Sequence, residues 1–185
     1  MVKSYFRYTP RWCFGTANSN KSNCIIDENS GLIYLPAGEF VMRFNPKTAE
    51  IEDKIFFKEK KSYVSQIELG QSPTGNLLAI GYEDGDLGLF YLKDLEEEDE
   101  GLESRSEILS ETESSITAIN FSQTGDLLAV GSKSNSIIVW DTVSHSPKCK
   151  FIGHSAPISC LKILKIDDSD FVVSGSLDGC IRVNS

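Results

Sequence analysis

At 185 residues the chain is long enough for one ordinary domain with its own core, or for part of a larger one. Its 40% hydrophobic and 24% charged residues fit a soluble globular protein and exclude a disordered chain, and no apolar run approaches the roughly 20 residues of a membrane-spanning helix. The net charge of −9 sits in one place: residues 94–113 hold ten acids and one base, which leaves 17 of each sign elsewhere. A neutral body beside an acidic stretch lacks the clustered Lys and Arg on which strong nucleic-acid binding depends.

Taken from the amino terminus, residues 1–15 mix charges and aromatics and contain no apolar stretch of the secretory type, so no signal peptide is expected. Cysteines stand at 13, 24, 149, 160 and 180, an odd and scattered set without a CxxC pair or a Cys/His cluster. That pattern predicts reduced thiols, with neither a disulfide framework nor a zinc site. The glycosylation pattern occurs at Asn20 and Asn120, and without a signal peptide neither is expected to be used.

From residue 31 onward the chain repeats. A weak first copy, "GLIYLPAGEFVMRFNPKT" (31–48), carries the aromatic Phe44, and a strand at 50–57 follows it. The second, "SQIELGQSPTGNLLAIGYEDGDLGLFYL" (65–92), matches "TAINFSQTGDLLAVGSKSNSIIVWDT" (117–142) at an offset of 50: Thr74-Gly75 to Thr124-Gly125, Leu77–Gly81 to Leu127–Gly131, Phe90 to Trp140. The last copy, 159–185, puts Gly175 in the place of Gly131. Each copy reads as an alternating strand, a tight turn, a second strand that is apolar throughout, a second turn, and a third strand that ends on an aromatic in all but the last copy. A continuous apolar strand of this kind ("LLAIG", "LLAVG", "FVVSG") suits burial on both faces. Fourth strands are expected at about 106–110 and 147–152.

Four antiparallel strands repeated every 40 to 50 residues predict an all-β fold, a β-propeller of about four blades over 12–57, 63–110, 114–152 and 156–185. Trp140-Asp141, and Gly153-His154 opening the last copy, resemble the dipeptides of WD repeats. That resemblance implies a structural hydrogen-bonded network of His154, the hydroxyl of Ser174 (or of Ser176 on the same face) and Asp178. Trp140 with Asp141 belong to the preceding copy, and Asn184 stands where the last copy would have its Trp. The last copy has no fourth strand, and four blades fall short of the usual ring of about seven. An open ring is therefore expected, with the chain an amino-terminal piece and Lys3–Tyr8 belonging to a blade it lacks.

Other candidates are weaker. No catalytic constellation, phosphate loop or metal motif is present, so no enzyme activity, cofactor or small-molecule substrate is expected. His145 falls in a loop with no carboxylate nearby in sequence, "DDSD" (167–170) lacks the glycine and distal Glu of a calcium loop, and "KIFFKEKK" (54–61) reads as a solvated connection. The acidic insertion 94–113 is expected to be a mobile loop joining the third and fourth strands of the second blade, with too little apolar content before Ile108 and Leu109 to offset ordering. It reads as a solubilising insertion, with Glu96, Glu97, Glu98, Asp99 and Glu100 as a candidate interaction loop for basic partner tails. Deleting 96–104 should leave stability within about 1 kcal/mol; collapse in a thermal melt would show a packed loop.

The segments "MVKSYFRY", "FGTANSN", "GLIYLPAGEFVMRFN", "LLAIGYEDGDLGLFYL" and "LLAVGSKSNSIIVWD" together resemble the start of the WD-repeat proteins of the eukaryotic small-subunit processome, the tandem-propeller subunits of the U-three snoRNP. The resemblance covers nearly the whole chain. It implies a nucleolar, non-catalytic scaffold acting in pre-ribosomal RNA processing. Its partners would be other processome proteins, with U-three snoRNA or pre-rRNA contacted indirectly and no membrane. The acidic insertion is long for that family, which also has two complete propellers and a helical region. A WD-repeat adaptor in a ubiquitin ligase or trafficking coat is the alternative.

Overall fold

The structure, a computed structural model, describes residues 22–57, 60–72, 75–92, 106–110, 112, 114–167 and 169–185. These residues form four antiparallel sheets in sequence order. Blade 1 holds β1 (Ile25–Ile26), β2 (Ile33–Ala37), β3 (Phe40–Asn45) and β4 (Glu50–Ile55); blade 2 holds β5 (Val64–Ser72), β6 (Gly75–Tyr82), β7 (Leu87–Tyr91) and β8 (Ser106–Leu109). Blade 3 holds β9 (Ile116–Phe121), β10 (Leu127–Ser132), β11 (Ser136–Asp141) and β12 (Ser146–Ile152). Blade 4 has three strands, β13 (Ile158–Ile166), β14 (Ser169–Ser176) and β15 (Ile181–Asn184). Each strand pairs with its sequence neighbour, the meander that short turns enforce.

The repeat is visible in the turns as well as in the strands. Gly85, Asn135 and Gly179 hold the same place in the turn after the second strand of their blades, with φ of 102°, 65° and 79°. A left-handed residue is needed there to reverse the chain, and Gly or Asn is the residue type that accepts it.

Strand alternation sets the packing, because successive side chains point to opposite faces. On β6, Leu78, Ile80 and Tyr82 face blade 1 and join Tyr34, Val41 and Ile55, whereas Leu77 and Ala79 face blade 3. On β10, Leu128 and Val130 turn back to blade 2 with Ile138 and Trp140, whereas Leu127 and Ala129 turn to blade 4 with Ile137, Val139, Ile158, Ile163 and Val172. The second strands of blades 2 and 3 are thus buried on both faces. β14 departs from this pattern: Val172 and Ser174 are buried against blade 3, but Phe171 and Val173 on the other face are only half-buried. No described sheet covers that second face, so the apolar run "FVVSG" is sandwiched on one side only.

The first strands of blades 2, 3 and 4 approach one another. The Phe121 ring of β9 lies where a Cβ on Gly70 of β5 would be, 2.5 Å away, so only glycine lets the blades come this close. Asn120, 6% exposed, donates from its side-chain amide to Glu68 of β5 (3.1 Å) and accepts from the Ile163 N–H of β13 (2.9 Å). Its place in a glycosylation pattern is therefore incidental, since one amide bonds to both neighbouring blades. The outer strand β12 is almost wholly exposed, as is most of β4. The acidic insertion ends in structure: Leu109 of β8 is buried beside Leu87, while Glu96, Glu97, Glu98, Asp99 and Glu100 lie outside the described residues, as does Lys3–Tyr8.

Candidate functional site

A connected polar group sits at the entrance to blade 4. His154 is buried, and its Nδ1 lies 2.9 Å from the Asp178 carboxylate while its Nε2 lies 2.9 Å from the hydroxyl of Ser174, itself 0% exposed. A carboxylate can only accept from an imidazole, so a neutral ring donates from Nδ1 to Asp178 and accepts at Nε2 from Ser174. Asp178 also accepts from the backbone N–H groups of Ser155 (3.0 Å) and Cys180 (2.9 Å). The His154 bond, with help from these N–H groups, holds the Asp178 carboxyl well below the usual carboxylate range. The structure thus brings together His154, Ser174 and Asp178 of the expected set. Ser176 instead donates to the Ala156 carbonyl (2.8 Å).

Trp140 and Asp141 sit elsewhere. Trp140 is 4% exposed in the core between blades 2 and 3. Asp141 accepts from the N–H groups of Ser144 and Val143, 2.9 Å each, and these bonds lower its carboxyl pKa. It caps the turn that leads into β12. Asn184 pairs with Val172 across β14 and β15.

Two polar clusters were missed in the sequence. The N–H groups of Glu83, Lys133 and Leu177 donate to the carbonyls of Tyr63, Ser115 and Pro157, the same turn contact in three blades. Three residues ahead of each carbonyl stand Lys60, Thr112 and His154, and the partners matching Asp178 are Asp84 and Ser134. In blade 2, Lys60 therefore occupies the histidine's place. Its side chain is 14% exposed, bonds to Asp84 (2.6 Å) and Asp86, and lies 5.8 Å from the centre of the Tyr82 ring. The expected solvated connection is, at this residue, a half-buried ion cluster. Burial opposes ionisation of Lys60, yet the Asp84 and Asp86 bonds prevail and raise its pKa; burial likewise raises Asp86, but bonds from Lys60 and Ser110 outweigh it and leave that carboxyl lowered. In blade 3, hydroxyls replace charges: Ser132 lies 2.6 Å from Ser134, which lies 3.0 Å from Ser136. Aligning the repeats three residues ahead of the turn contact would have found Lys60.

The second is His145, expected to have no carboxylate nearby. Glu107 of β8 lies 2.6 Å from its Nδ1 and the Tyr91 hydroxyl 3.0 Å from its Nε2. The turn before β12 is thereby tied back to blade 2. Nothing in the sequence around "TVSHSPK" signals a partner 38 residues upstream, within the acidic insertion.

These carboxylates give acid sensitivity a sign. Asp178 and Asp86 have folded pKa values below the ordinary 3.8, so they contribute stability above about pH 4 that is lost as pH falls through their folded values. Thermal melts at stepped pH should show a falling midpoint below about pH 4, and an Asp178→Asn variant should show a shallower fall. An identical acid profile in the variant would mean that Asp178 carries none of it.

All the polar side chains of these clusters are turned toward one another. Among the described residues no group of three or more His, Cys, Asp or Glu is placed to hold a metal ion. What the arrangement does chemically is fix the geometry of turns between blades, since buried polar groups left unpaired are costly.

Residues 104–141 and 145–184 match the family described as WD domain, G-beta repeat. Over 108 residues the chain is 31% identical to Periodic tryptophan protein 2 homolog of Schizosaccharomyces pombe, covering 58% of this chain and 12% of that protein. Over 170 residues it is 24% identical to COMPASS component SWD3 of Saccharomyces cerevisiae, covering 91% of this chain and 50% of that one. The chain thus spans half or less of the length of these relatives. Among solved structures, the RRP9 WD40 repeats and U3-55K each superpose with a TM-score of 0.73 at 16% identity over 92% of this chain, covering 49% and 50% of those chains. The computationally designed Ika4 protein gives a TM-score of 0.69 at 19% identity, with 91% and 92% coverage. The meander sheets, the residues that alternate between neighbouring blades and the two matched repeats together make the fold a WD-repeat β-propeller, whose described residues form an open arc of four blades.

Proposed function

We propose that the chain is a non-catalytic protein-interaction scaffold of a ribosome-biogenesis complex, of the small-subunit processome type and nucleolar. What carries this reading is the resemblance of "MVKSYFRY" and the following blades to processome WD-repeat proteins, beside an alignment to a curated relative over 58% of the chain. The 31% identity to Periodic tryptophan protein 2 homolog and the fold shared with the U3-55K structure support it. The titratable clusters are satisfied within the chain, which favours a structural role for His154, Ser174 and Asp178 over a reactive one. A neutral body favours indirect contact with U-three snoRNA or pre-rRNA, through protein partners, and leaves the acidic residues Glu96–Glu100 as a contact for basic tails.

The test is purification of the tagged full chain from cells, with proteins identified by mass spectrometry and RNA by hybridisation. Processome proteins and U-three RNA are expected, and the RNA should be lost when the proteins are stripped at high salt. A second reading, an adaptor in another multiprotein complex, draws on the 24% identity to COMPASS component SWD3 over most of the chain. Recovery of a chromatin, ligase or coat complex without U-three RNA would establish that reading and overturn the first.

A further inference from the structure

The connection from β8 to β9 is laid over a turn of its own blade. β8 ends at Leu109, and Ser110, the next residue, is exposed. Its hydroxyl donates to the Asp86 carboxylate. Two residues on, the Thr112 hydroxyl donates to the Gly85 carbonyl. The backbone of Thr112 and Ser114 fills the space where Gly85, at φ 102°, would carry a Cβ. The turn beneath is the one whose Asp84 and Asp86 hold Lys60, so a single ammonium already faces two carboxylates there. Ser110 touches the outer edge of that cluster.

Three serines of the chain have an acid three residues later: Ser65, Ser104 and Ser110. Ser65 is 3% exposed and donates to the Gly81 carbonyl (3.0 Å), which closes it to an enzyme. Ser104 is followed by Arg105 and lies outside the described residues. Of the three, Ser110 alone has acids both one and three residues on, Glu111 and Glu113, at the end of the stretch that holds the chain's whole net charge. A protein kinase with a basic substrate groove selects an acceptor in such surroundings by charge complementarity.

We propose that Ser110 is a phosphorylation site for an acid-directed protein kinase, and that the phosphate lifts the β8–β9 connection off the Asp84–Asp86 turn. In the transfer, Ser110 Oγ forms a bond to the γ-phosphorus of ATP as the bond from that phosphorus to the β,γ-bridging oxygen breaks. ADP leaves, and the hydroxyl proton passes to the base of the kinase. The product no longer offers Asp86 a hydroxyl proton and carries a charge of about −1.5 to −2 at pH 7. Two negative groups then meet where a hydrogen bond had been, and the one charge of Lys60 cannot serve the phosphate and both carboxylates. Repulsion of this kind opens a contact. The site goes beyond the proposed function and does not rest on it.

The test incubates the purified chain with casein kinase 2 and MgATP and reads the product by tandem mass spectrometry. One phosphate is expected, on Ser110, and it should be lost in Ser110→Ala. Glu113→Gln should slow incorporation about tenfold, as loss of one charge-assisted contact does. Circular dichroism checks that both variants fold. Amide exchange then compares the modified and unmodified chains. The N–H groups of Tyr82, Glu83 and Gly85 close the turn on the carbonyls of Asp86, Tyr63 and Tyr82; their exchange should quicken with the phosphate and stay unchanged in Ser110→Ala after the same treatment. No phosphate on Ser110, phosphate on Ser104 alone, or full-speed labelling of Glu113→Gln would overturn the acid-directed site. Unchanged or slower exchange over the turn in the modified chain would overturn the release.

Discussion

Replacing Trp140 by alanine should destabilise the protein by about 3–5 kcal/mol, the range for a large aromatic truncated in a core. Trp140 is 4% exposed, pairs with Leu128 across β10 and β11, and shares its core with Leu77, Ala79, Leu87 and Leu89 of blade 2. Its loss opens a cavity between two sheets that extended strands cannot collapse to fill. Denaturant unfolding of wild type and variant gives the difference directly. An unchanged midpoint would mean that the residue does not hold the blades together.

His154→Ala should cost roughly 2–3 kcal/mol, by a different route. The substitution removes little apolar area but strands the Ser174 hydroxyl, 0% exposed, without the imidazole 2.9 Å away. A buried polar group that loses its partner forfeits its desolvation cost, about 1–3 kcal/mol. The turn at Asp178 also loses one of its ties. Pairing His154→Ala with Ser174→Ala should recover part of the loss, because no hydroxyl is then left unpaired. Additive costs in the double variant, read from the same unfolding curves, would show that the bond carries no coupling.

How much of this was legible in the sequence depends on the range of the signal. The second strands of the repeat were readable because "LLAIG" and "LLAVG" bury both faces and keep their offset of 50 residues. His154 and Asp178 were readable because the resemblance to WD repeats supplies the roles. Lys60 was not, because a lysine among lysines and glutamates reads as solvated; only the three-dimensional turn contact shows that it stands in the histidine's place beside Asp84 and Asp86. His145 was hidden for a related reason, its carboxylate partner lying on another blade. Half-burial of β14 was also beyond local pattern, since whether a strand is covered on its second face depends on the neighbouring sheet.

Blades 2 and 3 each use a glycine to admit an isoleucine of the next blade. A Cβ on Gly81 would meet Ile116 at 2.6 Å, and one on Gly131 would meet Ile158 at 2.6 Å. A double-mutant cycle on Gly131 and Ile158 is the most direct test of blade-on-blade stacking. Gly131→Ala alone should destabilise by about 1–3 kcal/mol through overpacking, and Ile158→Ala should cost less in that background than in the wild type, with a coupling of at least about 0.5 kcal/mol. Strict additivity would contradict the account, because it would mean that blades 3 and 4 do not touch there.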